Sequence, residues 1–185
     1  MLPEELKEVL DQNDNLKEIK DNLYSLIQVI MKKLPNIKYD YLKKNLETLK
    51  VKKVGKHLCP DYTHYNGKEN ILYINYSKID DNDDINHLIM YELLNITTFN
   101  GSFSGFNENN FLSAFNIGFT EILTNNLVGN EGNKSYHDDE VIGTNLLSQI
   151  IGFETLFEAY FSNNASFVTK NLVNAEGVGK WIVEN

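Results

Sequence analysis

Arginine is absent from this 185-residue chain, and all 17 of its basic residues are lysines. Arginine is the side chain that grips phosphate and carboxylate in a two-pronged fork. Its absence, together with a formal net charge of −9, argues against nucleic acid as a partner. Displacing counterions from phosphate needs a basic surface, and anionic membranes are set aside on the same ground. Cysteine is nearly absent too. Cys59 has no second thiol to pair with, which fits a reducing compartment. No apolar run approaches the ~20 residues needed to span a bilayer. The opening Met1-Leu2-Pro3-Glu4-Glu5 is acidic, unlike the basic start of a secretory signal, so the expectation is a cytoplasmic protein. Proline and tryptophan are scarce, but 10 Tyr, 10 Phe and 42% hydrophobic residues supply material for a packed core.

That material is patterned. Leu16, Ile19, Leu23, Leu26, Ile27, Ile30 and Leu34 recur at three- and four-residue steps, which predicts one face of an amphipathic helix. Pro35 ends it. A second helix is predicted over Tyr39–Leu49. From Lys50 to Ser77 the pattern turns to short strands, clearest in Asn70-Ile71-Leu72-Tyr73-Ile74-Asn75-Tyr76-Ser77, with Asn66-Gly67 marking a turn before it. Helices are predicted over 83–98, 110–128, with Phe111 among its buried residues, 139–161 and 165–173. The third is weakened by Gly143 and Gly152 and uses Val141, Leu146, Leu147 and Ile150 among its core residues. The tail from Glu176 to Asn185 is predicted to be loose, with Trp181 docking. The fold class expected is α+β: an N-terminal helical segment over 1–49, then a domain over 50–185 with a small antiparallel sheet at 50–77 and a mostly helical remainder.

Several polar groups invite a site and have a plainer account. Asp80-Asp81-Asn82-Asp83-Asp84 lacks the turn glycine and closing glutamate of a calcium loop, and carboxylates cap a helix N-terminus well. His57, Cys59 and His64 fit no standard zinc spacing. His137 stands in a polar loop beside Asp138 and Asp139 and reads as surface. Glu92 and Glu121 as a metal-free carboxylate pair have nothing else in the chain pointing to a sugar. There is no Gly-x-Ser-x-Gly and no motif around Cys59 to mark a nucleophile.

One ordered set of segments stands out. Tyr91-Glu92-Leu93-Leu94-Asn95 lies on the helix at 83–98, Ser104-Gly105-Phe106 follows in a loop, and Asn116-Ile117-Gly118-Phe119-Thr120-Glu121 lies on the next helix. From Asn95 to Ile117 is 22 residues. These segments resemble the gluzincin-like branch of zinc metallopeptidases in low-GC Gram-positive bacteria. There the first helix reads His-Glu-Leu-Leu-His and the second Asn-Glu-Gly-Phe-Thr-Glu. The resemblance runs from about Asn70 to Val173 and implies a zincin-like core. In such enzymes two His one helical turn apart and a Glu from the second helix hold zinc, and the Glu between the His is the general base on its water.

Here the metal-ligand positions hold Tyr91, Asn95 and Ile117. A neutral phenol, an amide and an alkyl group are not zinc ligands. Glu92 keeps the general-base position with no metal-bound water to activate. Glu121 matches the outer carboxylate that would orient a ligand, and Gly118 belongs to the same cleft. The resemblance therefore implies a catalytically inactive peptidase homologue that needs no cofactor. Its former substrate cleft would bind a peptide or protein, with the strand at Ile71–Ser77 as the edge for strand addition. Two alternatives stand beside it. One is an active metallopeptidase with zinc displaced to His87, Glu92 and Glu121. The other is a structural or oligomerisation module.

Overall fold

The computed structural model describes residues 2–108, 112–132, 134 and 136–173. The expectations for Phe111 and Trp181 fall outside them. The chain is α+β. Helix α1 spans Glu4–Gln12, and a 3-10 turn covers Asp14–Leu16. Asn13 organises this corner: its Oδ1 accepts the Asn15 amide at 3.1 Å, and its Nδ2 donates to the carbonyls of Leu46 and Leu49 at 2.8 and 3.0 Å. Helix α2 spans Lys20–Lys33 and α3 spans Asp40–Thr48. The apolar face expected from Leu16 to Leu34 is buried as far as Ile30, and Leu34 at its end is partly buried. Leu16 and Ile19 reach the core from the turn before α2 rather than from the helix itself.

Strands β1 (Lys50–Lys53), β2 (Thr63–Asn66) and β3 (Ile71–Ile74) lie in the order β1-β3-β2. The sheet is mixed, which corrects the antiparallel expectation. β2 and β3 form a hairpin and must run antiparallel, but β1 crosses to the far edge of β3 and pairs with it in parallel, Val51 opposite Leu72. The strand expected to be an edge is thus the central one, and β2 is a true edge. The hairpin turn follows Asn66, with Asn70 left-handed at φ 52°. Gly67 is required there because a Cβ would collide with the Phe99 ring.

Helix α4 (Ile85–Thr98) begins where Asp84 Oδ1 accepts the amides of Asn86 and His87 at 2.9 and 3.1 Å, the capping role expected of the acidic stretch. The carboxylates before it are held by Lys134, at 2.9 Å from Asp80 and 3.0 Å from Asp83. Helix α4 is buried on most of its circumference, with Ile89, Met90, Leu93 and Leu94 in the core. Helix α5 spans Ser113–Val128. The expected long third helix is two, α6 (Asp138–Ile151) and α7 (Phe153–Ser162), separated by Gly152 at φ 90°. Residues 165–173 are helical.

Helix α6 turns out differently from its periodicity. Leu147 and Thr144 are buried against α5, whereas Leu146 and Ile150 are 56% and 60% exposed. Close approach to α5 at Gly118 decides which face turns inward. One hydrophobic cluster runs from α1 through α4 and α5 to Val168, and Asn45 ties α3 to α4 by donating to the carbonyls of Ile96 and Phe99. Among the described residues no helix is long and apolar enough to cross a membrane.

Candidate functional site

A cleft of about 790 Å³ opens between β2 and helices α4 and α5. Tyr91 and Asn95 line it one turn apart on α4, and Ile117 and Glu121 line it one turn apart on α5. The segments singled out in the sequence therefore meet in one place. Their meeting depends on two close contacts. At Gly118 a Cβ would collide with the Glu140 carbonyl and Thr144 Oγ1, so only glycine lets α5 lie this near α6. The Ser104-Gly105-Phe106 loop is pinned to both helices. Ser104 Oγ donates to the Asn95 carbonyl at 2.9 Å, the Gly105 amide donates to Thr98 Oγ1 at 2.9 Å, and the Phe106 amide donates to Asn116 Oδ1 at 3.0 Å. Gly105, at φ 57°, has no room for a side chain between Asn116 and Tyr160.

Glu92 is 4% exposed. Its Oε2 accepts the backbone amide of Tyr65 and the side-chain amide of Asn95, both at 3.2 Å. Burial pushes its carboxyl above the usual range, and the charge of His64 and the hydrogen bonds from Asn95, Thr63 and Tyr65 pull partly back. The Tyr65 contact follows from strand geometry. The Asn75 amide donates to the Tyr62 carbonyl at 2.9 Å, and hydrogen-bonded pairs alternate along an antiparallel ladder. Tyr62, His64 and Asn66 therefore face β3, and Thr63 and Tyr65 turn their main-chain groups outward.

Glu121, 2% exposed, pairs directly with His87, which the sequence set beside it only as a displaced zinc ligand. Its Oε1 lies 2.7 Å from His87 Nε2, and His87 Nδ1 lies 2.6 Å from the Gly129 carbonyl. A carbonyl only accepts, so Nδ1 carries a hydrogen, and Nε2 can donate to a carboxylate only in the imidazolium. Burial would push the His87 pKa down, but Glu121, the Gly129 carbonyl and the charge of Asp84 hold it above its ordinary value. The Tyr136 ring stacks on His87 at 5.2 Å, and its hydroxyl donates to Asp83 Oδ1 at 2.7 Å. The second carboxylate oxygen of Glu121 has no hydrogen-bond partner. Tyr91 stacks on the exposed His137 ring at 5.0 Å. Burial and the nearby charge of Glu92 push its phenol well above its ordinary pKa, so it stays neutral.

The displaced metal set is thus brought together only in part. His87 and Glu121 meet with both imidazole nitrogens engaged, and Glu92 bonds to β2 instead. Among the described residues no three His, Cys, Asp or Glu side chains are arranged to hold an ion. Cys59 is buried with its Sγ 3.4 Å from the Asp61 carbonyl, and burial raises its pKa. His64 is exposed on β2. Tyr65, Asn107, Tyr136 and His137 line the cleft without having been singled out as functional. They lie on loops and on the strand, where no periodicity betrays which way a side chain faces. No protein-family model, curated protein or solved structure matches the chain.

Proposed function

We propose that the chain keeps the fold of a gluzincin-like zinc peptidase, has lost its metal, and uses the former substrate cleft to hold an extended peptide segment of a protein partner. One observation carries this reading: Tyr91, Asn95 and Ile117, the positions the resemblance assigns to the three zinc ligands, line one cleft. A phenol, an amide and an alkyl group there leave a divalent cation no first ligand. Glu92 supports the reading by its occupation. Its carboxylate accepts the Tyr65 amide on the outer edge of β2 and the Asn95 side-chain amide. Strand addition along β2, where Thr63 and the carbonyl of Tyr65 present outward main-chain groups while the Tyr65 amide is held by Glu92, is the physical basis for peptide binding.

Restoring the ligands tests it. Wild-type protein incubated with zinc and dialysed is expected to retain below ~0.1 zinc per chain, and the Tyr91→His, Asn95→His, Ile117→Glu triple variant about one. Stoichiometric zinc in the wild type would overturn the loss of metal. A folded triple variant that binds none would show that the three positions do not converge as a ligand set.

A further inference from the structure

The described residues contain two buried side-chain polar atoms without a hydrogen-bond partner, Glu121 Oε2 and Asn107 Oδ1, and both residues line the cleft. Both atoms are acceptors. A buried acceptor left without a donor is destabilising, the more so when charged; such a group needs an explanation. Glu121 is the sharper case, because its other oxygen is already committed to His87 and Asn125. What these two oxygens lack is a hydrogen-bond donor.

The wider wall agrees. Four carboxylates line the cleft, on Asp61, Glu92, Glu108 and Glu121, against the ammonium groups of Lys68 and Lys78. Lys78 is spoken for: its Nζ donates to the Pro60 carbonyl at 2.9 Å and sits 4.3 Å from the centre of the Tyr62 ring. Set against Lys68, Lys78 and the His87 imidazolium, with His64 and His137 counted as neutral, the four carboxylates leave an excess of one negative charge, on a chain whose net charge is −9. Opposite charge at a cleft steers and selects ligands.

We propose that the cleft recognises a charged nitrogen, the ammonium or guanidinium of a lysine or arginine side chain on the bound peptide, with Glu121 Oε2 as its principal acceptor and Asn107 Oδ1 as a second. This rests on the peptide-binding reading above. A basic side chain supplies several N–H donors with its charge, and a charge-assisted hydrogen bond inside a buried site is among the stronger polar contacts.

Calorimetry on the full chain decides it, using members of an extended-peptide library that differ at one position: lysine, arginine, acetyl-lysine or glutamate. Expected is at least about tenfold tighter binding of the lysine and arginine peptides than of the acetyl-lysine peptide. Glu121→Gln should erase that ratio, and Asn107→Asp should widen it. Equal affinity for lysine and acetyl-lysine overturns this inference and leaves peptide binding standing. No binding by any member of the library overturns both. Butylamine binding as tightly as the lysine peptide would overturn the peptide as the source and place the recognition with small free amines. Should Glu121→Gln fail to fold by circular dichroism, the acetyl-lysine comparison and Asn107→Asp still decide.

Discussion

At position 92 a carboxylate has been taken out of water and given two amide donors, and burial still raises its pKa. A carboxyl whose folded pKa lies above its unfolded value of 4.5 favours folding most below that value. It loses this contribution as pH climbs through the folded pKa. At neutral pH the charged form is therefore a burden. Glu92→Gln keeps an oxygen for the Tyr65 amide and is expected to raise the melting temperature at pH 7 by roughly 2–4 °C; scanning calorimetry reads it. His87 loses its contribution in the same direction of pH, but there the charged form is the stabilising one. Its folded pKa is above 6.5, so the stability it contributes is complete below about pH 6.5 and is lost as pH rises through the folded value. His87→Gln should cost about 3 kcal/mol at pH 6 by breaking a buried pair and flatten the decline above pH 6.5, both read by urea unfolding. The sequence placed Glu92 and Glu121 at one cleft, where the Asn95 amide was expected to bond a leftover carboxylate, as it does at Glu92, and His87 stood beside them only as a displaced zinc ligand, not as a direct partner of Glu121. Glu121 reaches His87 across 34 positions of chain, and no local spacing encodes such a pair.

At the scale of elements, glycine at three positions decides how helices meet and end. Gly118 faces the Glu140 carbonyl and Thr144 Oγ1 across the α5–α6 contact, and a backbone carbonyl cannot step aside as a side chain can. Gly118→Ala is expected to destabilise the fold by about 1–3 kcal/mol, with a lowered denaturation midpoint and an unchanged m-value in urea. Gly105 holds the loop between α4 and α5, and Gly152 separates α6 from α7 at φ 90°. The helices themselves were legible from periodicity, because it is local, but the sequence offered Gly143 and Gly152 alike as weak points of one long helix, and only the structure breaks it at Gly152. The sheet was legible only as strands. That β1 crosses β3 and pairs in parallel depends on which edge of the hairpin remains open, a choice made between elements far apart in sequence.

At the scale of the molecule, one core joins α1–α3 to α4 and α5, so loss of a helix contact is felt throughout. Surface positions are different. Ile142, Leu146 and Ile150 stand 60%, 56% and 60% exposed along α6. A substitution that removes no contact leaves stability within about 0.5 kcal/mol. Leu146→Glu is therefore expected to leave the thermal midpoint nearly unchanged, whereas Leu147→Ala, at a position 4% exposed, should lose about 2–5 kcal/mol.

The α+β class, most helix positions and an acidic cap before α4 follow from the sequence alone, and the candidate set Tyr91, Glu92, Asn95, Ile117 and Glu121 follows from the resemblance its segments carry. Periodicity, capping and turn chemistry act over a few residues, and the order of motifs along the chain is read directly. The mixed sheet, the exposed face of α6, the His87–Glu121 pair and the capping of β2 by Glu92 belong to the tertiary structure. Each depends on groups distant in sequence being brought within bonding distance, and a helix with apolar residues on two faces does not reveal which one its neighbour will cover.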